Sequence, residues 1–342
     1  MRLPGSGRVR ALGRAVVGAV RRRSPRGLVL LYHRVAGPRL DPLLLDVSPA
    51  NFDAQLAVLC SAATVLPLEE FESLRRAGRL PEHAVAVTFD DGYADNLHAA
   101  APLLAQHGVP ATVFVTSGMI GAEGEFWWDD VERVVWSAVP LAAPVPIPGI
   151  AWTGDDAARP ALTGWSAAEA HDPTPRHRLY RQLLGAIQPL AVPARDAAMA
   201  ALRRWAGVAN AGRDTHRTMT AAELRTLASE PLITIGAHSV SHPILSLHAA
   251  ADQLRELLES RTALTQLLGR DVTSVAYPFG TGADVSDVTV RAARDAGYAF
   301  ALANEPAPAW RWSDRWRIPR VLVRDWDGDE FAQRLHHWLS DD

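Results

Sequence analysis

Short apolar runs alternate with helical segments along most of the chain, and this alternation limits the possible folds more than any other feature. Residues 84–89 and 111–116 have the length and composition of buried strands, and residues 96–107 between them have those of a helix that ends at Gly108. Such an order is typical of parallel βα units. The pattern predicts an α/β fold, a distorted or incomplete (β/α)7-type barrel rather than an open doubly wound sheet.

The same periodicity places the other elements. The predicted strands are residues 27–33, 84–89, 111–116, 232–237, 273–277, 298–303 and 318–324. The predicted helices are residues 49–60, 68–77, 96–107, 178–190, 194–205, 220–229, 254–268, 286–296 and 330–339.

The alternation is interrupted between about residues 125 and 217. Seven prolines lie within residues 138–175, together with Trp152 and Trp165, and helical patterns return only after them. We interpret this segment as a helical, proline- and tryptophan-containing insertion over the barrel. The chain is therefore expected to be one domain, residues 28–342, preceded by a basic segment, residues 1–27.

Composition excludes several functional classes. The net charge is -3, so there is no overall basic field and no nucleic acid is expected as a partner. All 35 basic residues are arginine, which excludes Schiff-base chemistry on lysine. Cys60 is the single cysteine, so neither an intrachain disulfide nor a thiolate zinc cluster can form. A cytoplasmic location is expected, with an exported protein that lacks disulfides as the open alternative, and the sequence gives no indication of oligomeric state.

The N-terminal segment is strongly basic. Residues 1–27 contain eight arginines and no acidic residue. The longest apolar run, residues 15–20, is too short for a signal-peptide core or a membrane span. Two interpretations stay open: a disordered terminus, or a helix that makes a peripheral contact with an anionic membrane.

Two polar motifs follow apolar runs directly. Asp90-Asp91-Gly92 comes after residues 84–89, and His238 and His242 come after residues 232–237. Strand ends are where α/β folds build their active sites. The two acids would point in different directions from a strand, and two histidines four residues apart would share one side of a helical turn. Each motif alone is more typical of a turn or a structural histidine pair.

Together, one carboxylate and two imidazoles supply the three protein ligands of a catalytic zinc-type site. One divalent metal ion is therefore expected, with zinc as the first candidate and cobalt or nickel as alternatives. Such an ion lowers the pKa of bound water to about 7 and polarises a carbonyl group. The motifs thus indicate a metal-dependent hydrolase.

Three motifs in this order resemble those of the polysaccharide deacetylase family with the NodB-homology domain. They are Thr88-Phe-Asp-Asp-Gly92, His238-Ser-Val-Ser-His242-Pro243 and Tyr277-Pro-Phe-Gly280. The resemblance covers roughly residues 28–340 apart from the insertion. It implies a distorted (β/α) barrel, a carbohydrate substrate, and metal-dependent removal of acetyl groups from N-acetylated, sometimes O-acetylated, sugars.

The resemblance also implies roles for individual residues. Asp90 would be the general base, and Asp91, His238 and His242 would hold the metal. The turn after Tyr277 would present a backbone N–H, at Phe279, to the oxyanion of the reaction.

Two tryptophans are weaker candidates for substrate contact. Trp127 and Trp128 have flat apolar faces on which sugar rings can stack, although most tryptophans pack in cores.

The chain departs from the family pattern at the residue that orients the base. Members commonly carry an arginine before the turn, where this chain has Val275 and Ala276. Arg34 and Arg320 are the candidates to replace it.

The general acid is the second departure. The family's late Leu-x-His motif has no clean match, since His336 and His337 lie in a predicted amphipathic helix. His33, at the end of the first predicted strand, is the better candidate and resembles members with a circularly permuted motif order. Imidazole has a suitable pKa for protonating a departing amine. The alternative is a histidine that only caps a buried strand.

Three functions are consistent with these observations. The first is removal of N-acetyl groups from an amino-sugar-containing glycan or glycan precursor. The others are an O-acetyl esterase acting on a carbohydrate, and a non-catalytic relative that binds glycans without turnover.

Overall fold

A computed structural model of the chain describes residues 25–37, 40–138, 140–154 and 164–340. The strands are β1 (Arg26–Tyr32), β2 (Arg34–Val35), β3 (Asp46–Val47), β4 (Thr64–Val65), β5 (Ala84–Phe89), β6 (Ala111–Val115), β7 (Ile233–Ala237), β8 (Ser274–Ala276), β9 (Phe300–Leu302), β10 (Ala309–Trp310) and β11 (Val321–Leu322). The α-helices are α1 (Pro49–Ala62), α2 (Leu68–Ala77), α3 (Ala101–His107), α4 (Trp127–Val135), α5 (Pro175–Ile187), α6 (Val192–Ala206), α7 (Ala221–Ser229), α8 (Ala250–Leu268), α9 (Asp287–Asp295) and α10 (Gly328–Leu339).

The central sheet is parallel apart from one short edge strand. Strands β1, β5, β6, β7, β8 and β9 pair in this order, all parallel, and β10 pairs antiparallel with the start of β1. The segment 318–323 joins the two ends, because Ile318 hydrogen-bonds to Ala301 and Ala303 while the Val323 N–H donates to Leu31. The predicted distorted (β/α) barrel is confirmed.

The register of the first two core strands positions the site. Six residue pairs align β1 with β5, from Gly27 opposite Ala84 to Tyr32 opposite Phe89. The residues that follow, His33 and Asp90, therefore emerge side by side at the carboxyl edge of the sheet. The Asp90 N–H still donates to the Tyr32 carbonyl at 3.0 Å.

Several helix ends carry residues that satisfy the free backbone groups, including Gly108, where the sequence predicted the end of a helix. Ser48 caps α1 through its side chain and Pro49 occupies the first turn, while Thr220 and Glu223 form a complete capping box on α7. Gly108 and Gly269 end α3 and α8 with φ of 67° and 66°. Residues 96–100 differ from the prediction, because they form one π-helical turn before α3.

Between β6 and β7 the chain forms helices α4, α5 and α6. Their apolar faces pack into a cluster separate from the barrel core, with Val131, Tyr180, Leu183 and Leu202 fully buried. These helices lie within the predicted insertion, residues 125–217.

The predicted basic segment lies almost wholly outside the described residues, which begin at residue 25. Both interpretations of residues 1–24 therefore stay predictions. Among the helices that the structure does describe, none has the length and apolar character needed to cross a membrane.

Candidate active site

A cavity of about 340 Å³ opens at the carboxyl edge of the barrel strands. Its lining includes His33, Asp90, Asp91, His238 and His242. The ends of three strands, β1, β5 and β7, thus bring together residues that lie up to about 200 positions apart in the chain. The structure assembles the predicted acids and histidines in one place.

The backbone turns sharply at the second of the two adjacent acids. Asp91 has φ of 75° and Gly92 has φ of 87°. A non-glycine residue in this left-handed region is strained, and such strain is common at functional sites. The sequence pattern had assumed that both acids continue an extended strand, but the backbone at Asp91 is not extended.

Asp91, His238 and His242 form a buried group with the chemistry of a metal site. The Asp91 Oδ1 lies 3.6 Å from His238 Nε2 and 3.4 Å from His242 Nε2. Among the described residues, neither Asp91 Oδ1 nor His242 Nδ1 has a hydrogen-bond partner. His238 Nδ1 lies 2.8 Å from the Ala276 carbonyl, which directs its Nε2 lone pair toward Asp91. The donor set fits a divalent ion.

Burial dominates the electrostatics of this group. It lowers the pKa of His238, and it lowers the pKa of His242 to about 3, so both rings are neutral and able to act as ligands. Burial also raises the pKa of the Asp91 carboxyl, against the opposing effect of the nearby His33 and His238.

The predicted helical turn from His238 to His242 is wrong. These residues form an irregular loop in which Ser239 and His242 have φ of 60° and 55°. Two distant side chains hold the loop. Glu256 accepts from the backbone N–H groups of residues 240 and 241 at 2.9 Å, and Arg195 donates to the carbonyls of residues 241 and 242 at 2.7 and 3.2 Å. No signal in the sequence marked either residue.

Arg320 makes a two-point ion pair with Asp90. Its Nη1 and Nη2 each lie 2.7 Å from one carboxylate oxygen of Asp90. Burial alone would raise the pKa of Asp90, but the charge of Arg320, with a smaller contribution from His238, lowers it to about 2. Asp90 is therefore ionised across the neutral range.

Arg34, the other candidate, does not reach the acid. Its guanidinium Nε lies 3.0 Å from Asp95 and 3.3 Å from Asp46. The suggestion that Arg34 orients Asp90 was wrong, because Arg34 pairs with these two other acids and does not line the cavity.

His33 lines the cavity next to the two acids. Its Nδ1 is buried and has no hydrogen-bond partner among the described residues. Burial lowers the pKa of His33, although the nearby charges of Asp91 and Asp90 raise it in part. The side chain is thus placed to exchange a proton inside the cavity.

The turn after β8 brings Phe279 to the cavity and leaves Tyr277 in the core. Phe279 has φ of 60°, and its ring lies 4.9 Å from that of His242. Within the described part of the chain, no group accepts a hydrogen bond from the Phe279 N–H. Tyr277 is 1% exposed and packs in the barrel core.

The two tryptophan candidates differ in position. Trp128 lines the cavity, and its ring lies 4.7 Å from that of His242. Trp127 packs edge-on against Trp128 and is not part of the lining.

Several lining residues were not foreseen from the sequence. They are Leu43, Leu45, Gln188, Thr281, Asp284, Asn304, Leu322 and Arg324. Leu322 belongs to β11 and Gln188 follows the end of α5, while the others come from loops, whose positions no local pattern reveals.

Comparison with protein families matches residues 77–142 and 196–301, half of the chain, to the family described as polysaccharide deacetylase. A stretch of 79 residues is 35% identical to the poly-beta-1,6-N-acetyl-D-glucosamine N-deacetylase of Staphylococcus aureus. This stretch covers 23% of the present chain and 27% of that relative. The chain thus matches a third or less of the length of its curated relatives.

Solved structures match over most of the chain at low identity. The Streptococcus pyogenes deacetylase PplD, in complex with acetate, has a TM-score of 0.58 and 16% identity, covering 91% of this chain and 99% of that one. IcaB from Ammonifex degensii has a TM-score of 0.56 and 18% identity, covering 92% and 97%. These likenesses show the fold.

Proposed function

The chain belongs to the polysaccharide deacetylase family, and from this premise we propose that it removes N-acetyl groups from an amino-sugar-containing glycan or glycan precursor. The proposed cofactor is one divalent metal ion, with zinc as the first candidate. The observation that carries the proposal is the convergence of Asp90, Asp91, His238, His242 and His33 on one cavity.

Asp91, His238 and His242 would hold the ion. Their buried ligand atoms face one another, and two of these side chains carry polar atoms without a partner among the described residues. A divalent ion bound by three such ligands lowers the pKa of water and polarises a carbonyl oxygen.

Asp90 is the proposed general base. It is ionised at neutral pH and accepts the proton of the attacking water, while Arg320 fixes both of its oxygens. Because each guanidinium nitrogen contacts one oxygen, the carboxylate cannot rotate freely. Arg320 thus supplies the contact that family members commonly obtain from an arginine before the turn.

Stabilisation of the oxyanion and protonation of the amine are the proposed roles of Phe279 and His33. The N–H of Phe279 has no acceptor among the described residues and would donate to the acetyl oxygen as that oxygen becomes negatively charged. His33, on the neighbouring strand end, would donate a proton to the departing amine nitrogen, so that the products are acetate and a free amino sugar.

One of the two reasons for considering a non-catalytic glycan-binding protein is weakened by the contacts of Arg320. That alternative rested on a missing orienting arginine and an uncertain acid, and the ion pair between Arg320 and Asp90 supports Arg320 as the orienting residue. The O-acetyl alternative differs only in the leaving group, so substrates must distinguish it.

The decisive experiment measures acetate release from N-acetylglucosamine oligomers by chelator-treated protein reloaded with zinc or cobalt. We expect Asp90→Asn to retain the metal and lose activity, and Asp91→Asn to lose both. Asp53→Asn makes the same carboxylate-to-amide change outside the cavity and is the matched control.

Full activity of Asp90→Asn would overturn the assignment of the base. Faster release of acetate from O-acetylated than from N-acetylated sugars would favour the esterase. Metal-independent glycan binding without turnover would favour the binding protein.

A further inference from the structure

A second group of buried side chains with metal-binding chemistry lies beside the active-site cavity. One oxygen of Asp129, one oxygen of Glu132 and one ring nitrogen of His216 lie within 4.8 Å of one another. The three residues are only 4–6% exposed. Asp129 and Glu132 are three positions apart on α4 and share one helix face, and His216 comes from the 3₁₀ turn Asp214–His216.

These side chains line a small polar cavity. The centre of a water-sized sphere can occupy about 10 Å³ of it, which is close to what a single water or ion requires. Four carboxylates line the cavity, those of Asp41, Asp46, Asp129 and Glu132, against one guanidinium, that of Arg34.

Arg213 adds a second positive charge at the edge of this group, with its Nη1 2.6 Å from Glu132 Oε1. Each guanidinium group also pairs with an acid outside the cavity lining, Arg34 with Asp95 and Arg213 with Glu125. Acidic groups therefore outnumber guanidinium groups around this cavity, and a bound cation would compensate buried negative charge.

Tyr180 provides an independent indication of a ligand. Its side chain is 0% exposed and lines the cavity, and its hydroxyl has no hydrogen-bond partner in the described ranges of the chain. A buried hydroxyl without a partner is costly, and most such groups in folded proteins contact another polar atom, a water or an ion. The hydroxyl of Tyr180 therefore indicates that a water molecule or an ion occupies the cavity.

We propose that Asp129, Glu132 and His216 bind a second divalent cation, of the zinc or manganese type, at a site separate from Asp91, His238 and His242. Two carboxylates and one imidazole suit these ions better than calcium or magnesium. His216 Nδ1 pairs with the Thr215 hydroxyl at 2.9 Å, which leaves Nε2 for the cation.

The cation would stabilise one wall of the active-site cavity. Asp129 Oδ2 accepts from the Tyr93 hydroxyl at 2.7 Å, and the same hydroxyl accepts from Trp128 Nε1 at 2.9 Å. Trp128 in turn packs on His242. Leu43 and Leu45 line both cavities. The cation therefore acts by positioning, without contact with the substrate.

Metal content measured in a background without the first site tests the proposal. Full-length wild type, His238→Ala, His238→Ala with Glu132→Gln, and His238→Ala with Asp130→Asn are each saturated with zinc, desalted and analysed by mass spectrometry. We expect about two, one, zero and one equivalents, respectively. Asp130 is the matched control, because it lies on the same helix and pairs with Arg133 and Arg203 outside the cavity.

Thermal unfolding provides a second measurement. Zinc should raise the Tm of His238→Ala by roughly 5 °C and leave the Tm of the Glu132→Gln double variant unchanged. Absence of bound metal in folded His238→Ala would overturn the proposal.

Diffraction from manganese-soaked crystals of the wild type tests whether a cation binds at the second site, even if a variant fails to fold. An anomalous peak between Asp129, Glu132 and His216 is expected. A peak at the first site only, with a water molecule or nothing in the small cavity, would refute the second site.

Discussion

Replacement of Arg320 by methionine tests the reasoning about the base most directly. The substitution removes the guanidinium that contacts both oxygens of Asp90 and keeps an unbranched apolar stem of similar length. Asp90 is 3% exposed and Arg320 is 0% exposed, so water cannot replace the lost partner without a rearrangement. The carboxylate would be left as an uncompensated buried charge.

The expected magnitude follows from the burial of the pair. Removal of one partner from a buried ion pair costs about 3–5 kcal/mol. The pKa of Asp90, lowered from 3.8 to about 2 at about 1.36 kcal/mol per pH unit, corresponds to a net stabilisation of roughly 2–3 kcal/mol after the opposing effect of burial. Since the folded-state pKa is lowered, this stability is present above the pKa of the unfolded chain and is lost as pH falls toward about 2.

Two measurements check the prediction. Urea unfolding of metal-free protein at pH 7 should show a loss of about 3 kcal/mol for Arg320→Met. The pKa of Asp90 should rise, because burial is no longer opposed, and the acidic limb of kcat/KM should therefore move to higher pH. Arg317→Met, which removes a pair with the exposed Asp287, should cost less than about 1 kcal/mol. Equal stability of the two variants and an unchanged acidic limb would refute the reasoning.

Three further outcomes are expected. His33→Asn should reduce deacetylation of an N-acetyl sugar by about 10²–10⁴-fold. Cleavage of an activated aryl acetate should stay nearly unchanged, because its leaving group needs no proton. A similar loss of activity on both substrates would contradict the role of His33 as the acid. Because a general acid must carry its proton, the rate of deacetylation by the wild type should also fall as pH rises through the pKa of His33. This basic limb of the pH profile should be absent in His33→Asn. Arg195→Gln should weaken the affinity for zinc by about 10–100-fold, because the loop that carries His242 loses the hydrogen bonds of Arg195. Competition with a chelator measures this affinity. Unchanged affinity would show that Arg195 has no part in the site.

Local patterns predicted the elements well and the loop geometry poorly. Strand β5 and helix α2 coincide with their predicted ranges, because an apolar run and an amphipathic stripe each carry their own signal. The loop from His238 to His242 was mistaken for a helical turn. Its left-handed residues are stable only because Glu256 and Arg195 hold the backbone from other elements.

The sequence by itself determined which side chains form most of the candidate site. Asp90, Asp91, His238 and His242 follow apolar strands directly, and parallel strands end at one edge of a sheet, so their meeting could be predicted without coordinates. Only the tertiary structure decided between Arg34 and Arg320, and it alone placed His33 beside Asp90 and assembled the group of Asp129, Glu132 and His216. The reason is physical: Arg320 and Asp90 are 230 residues apart, and their contact depends on barrel closure and strand register, which no local pattern specifies.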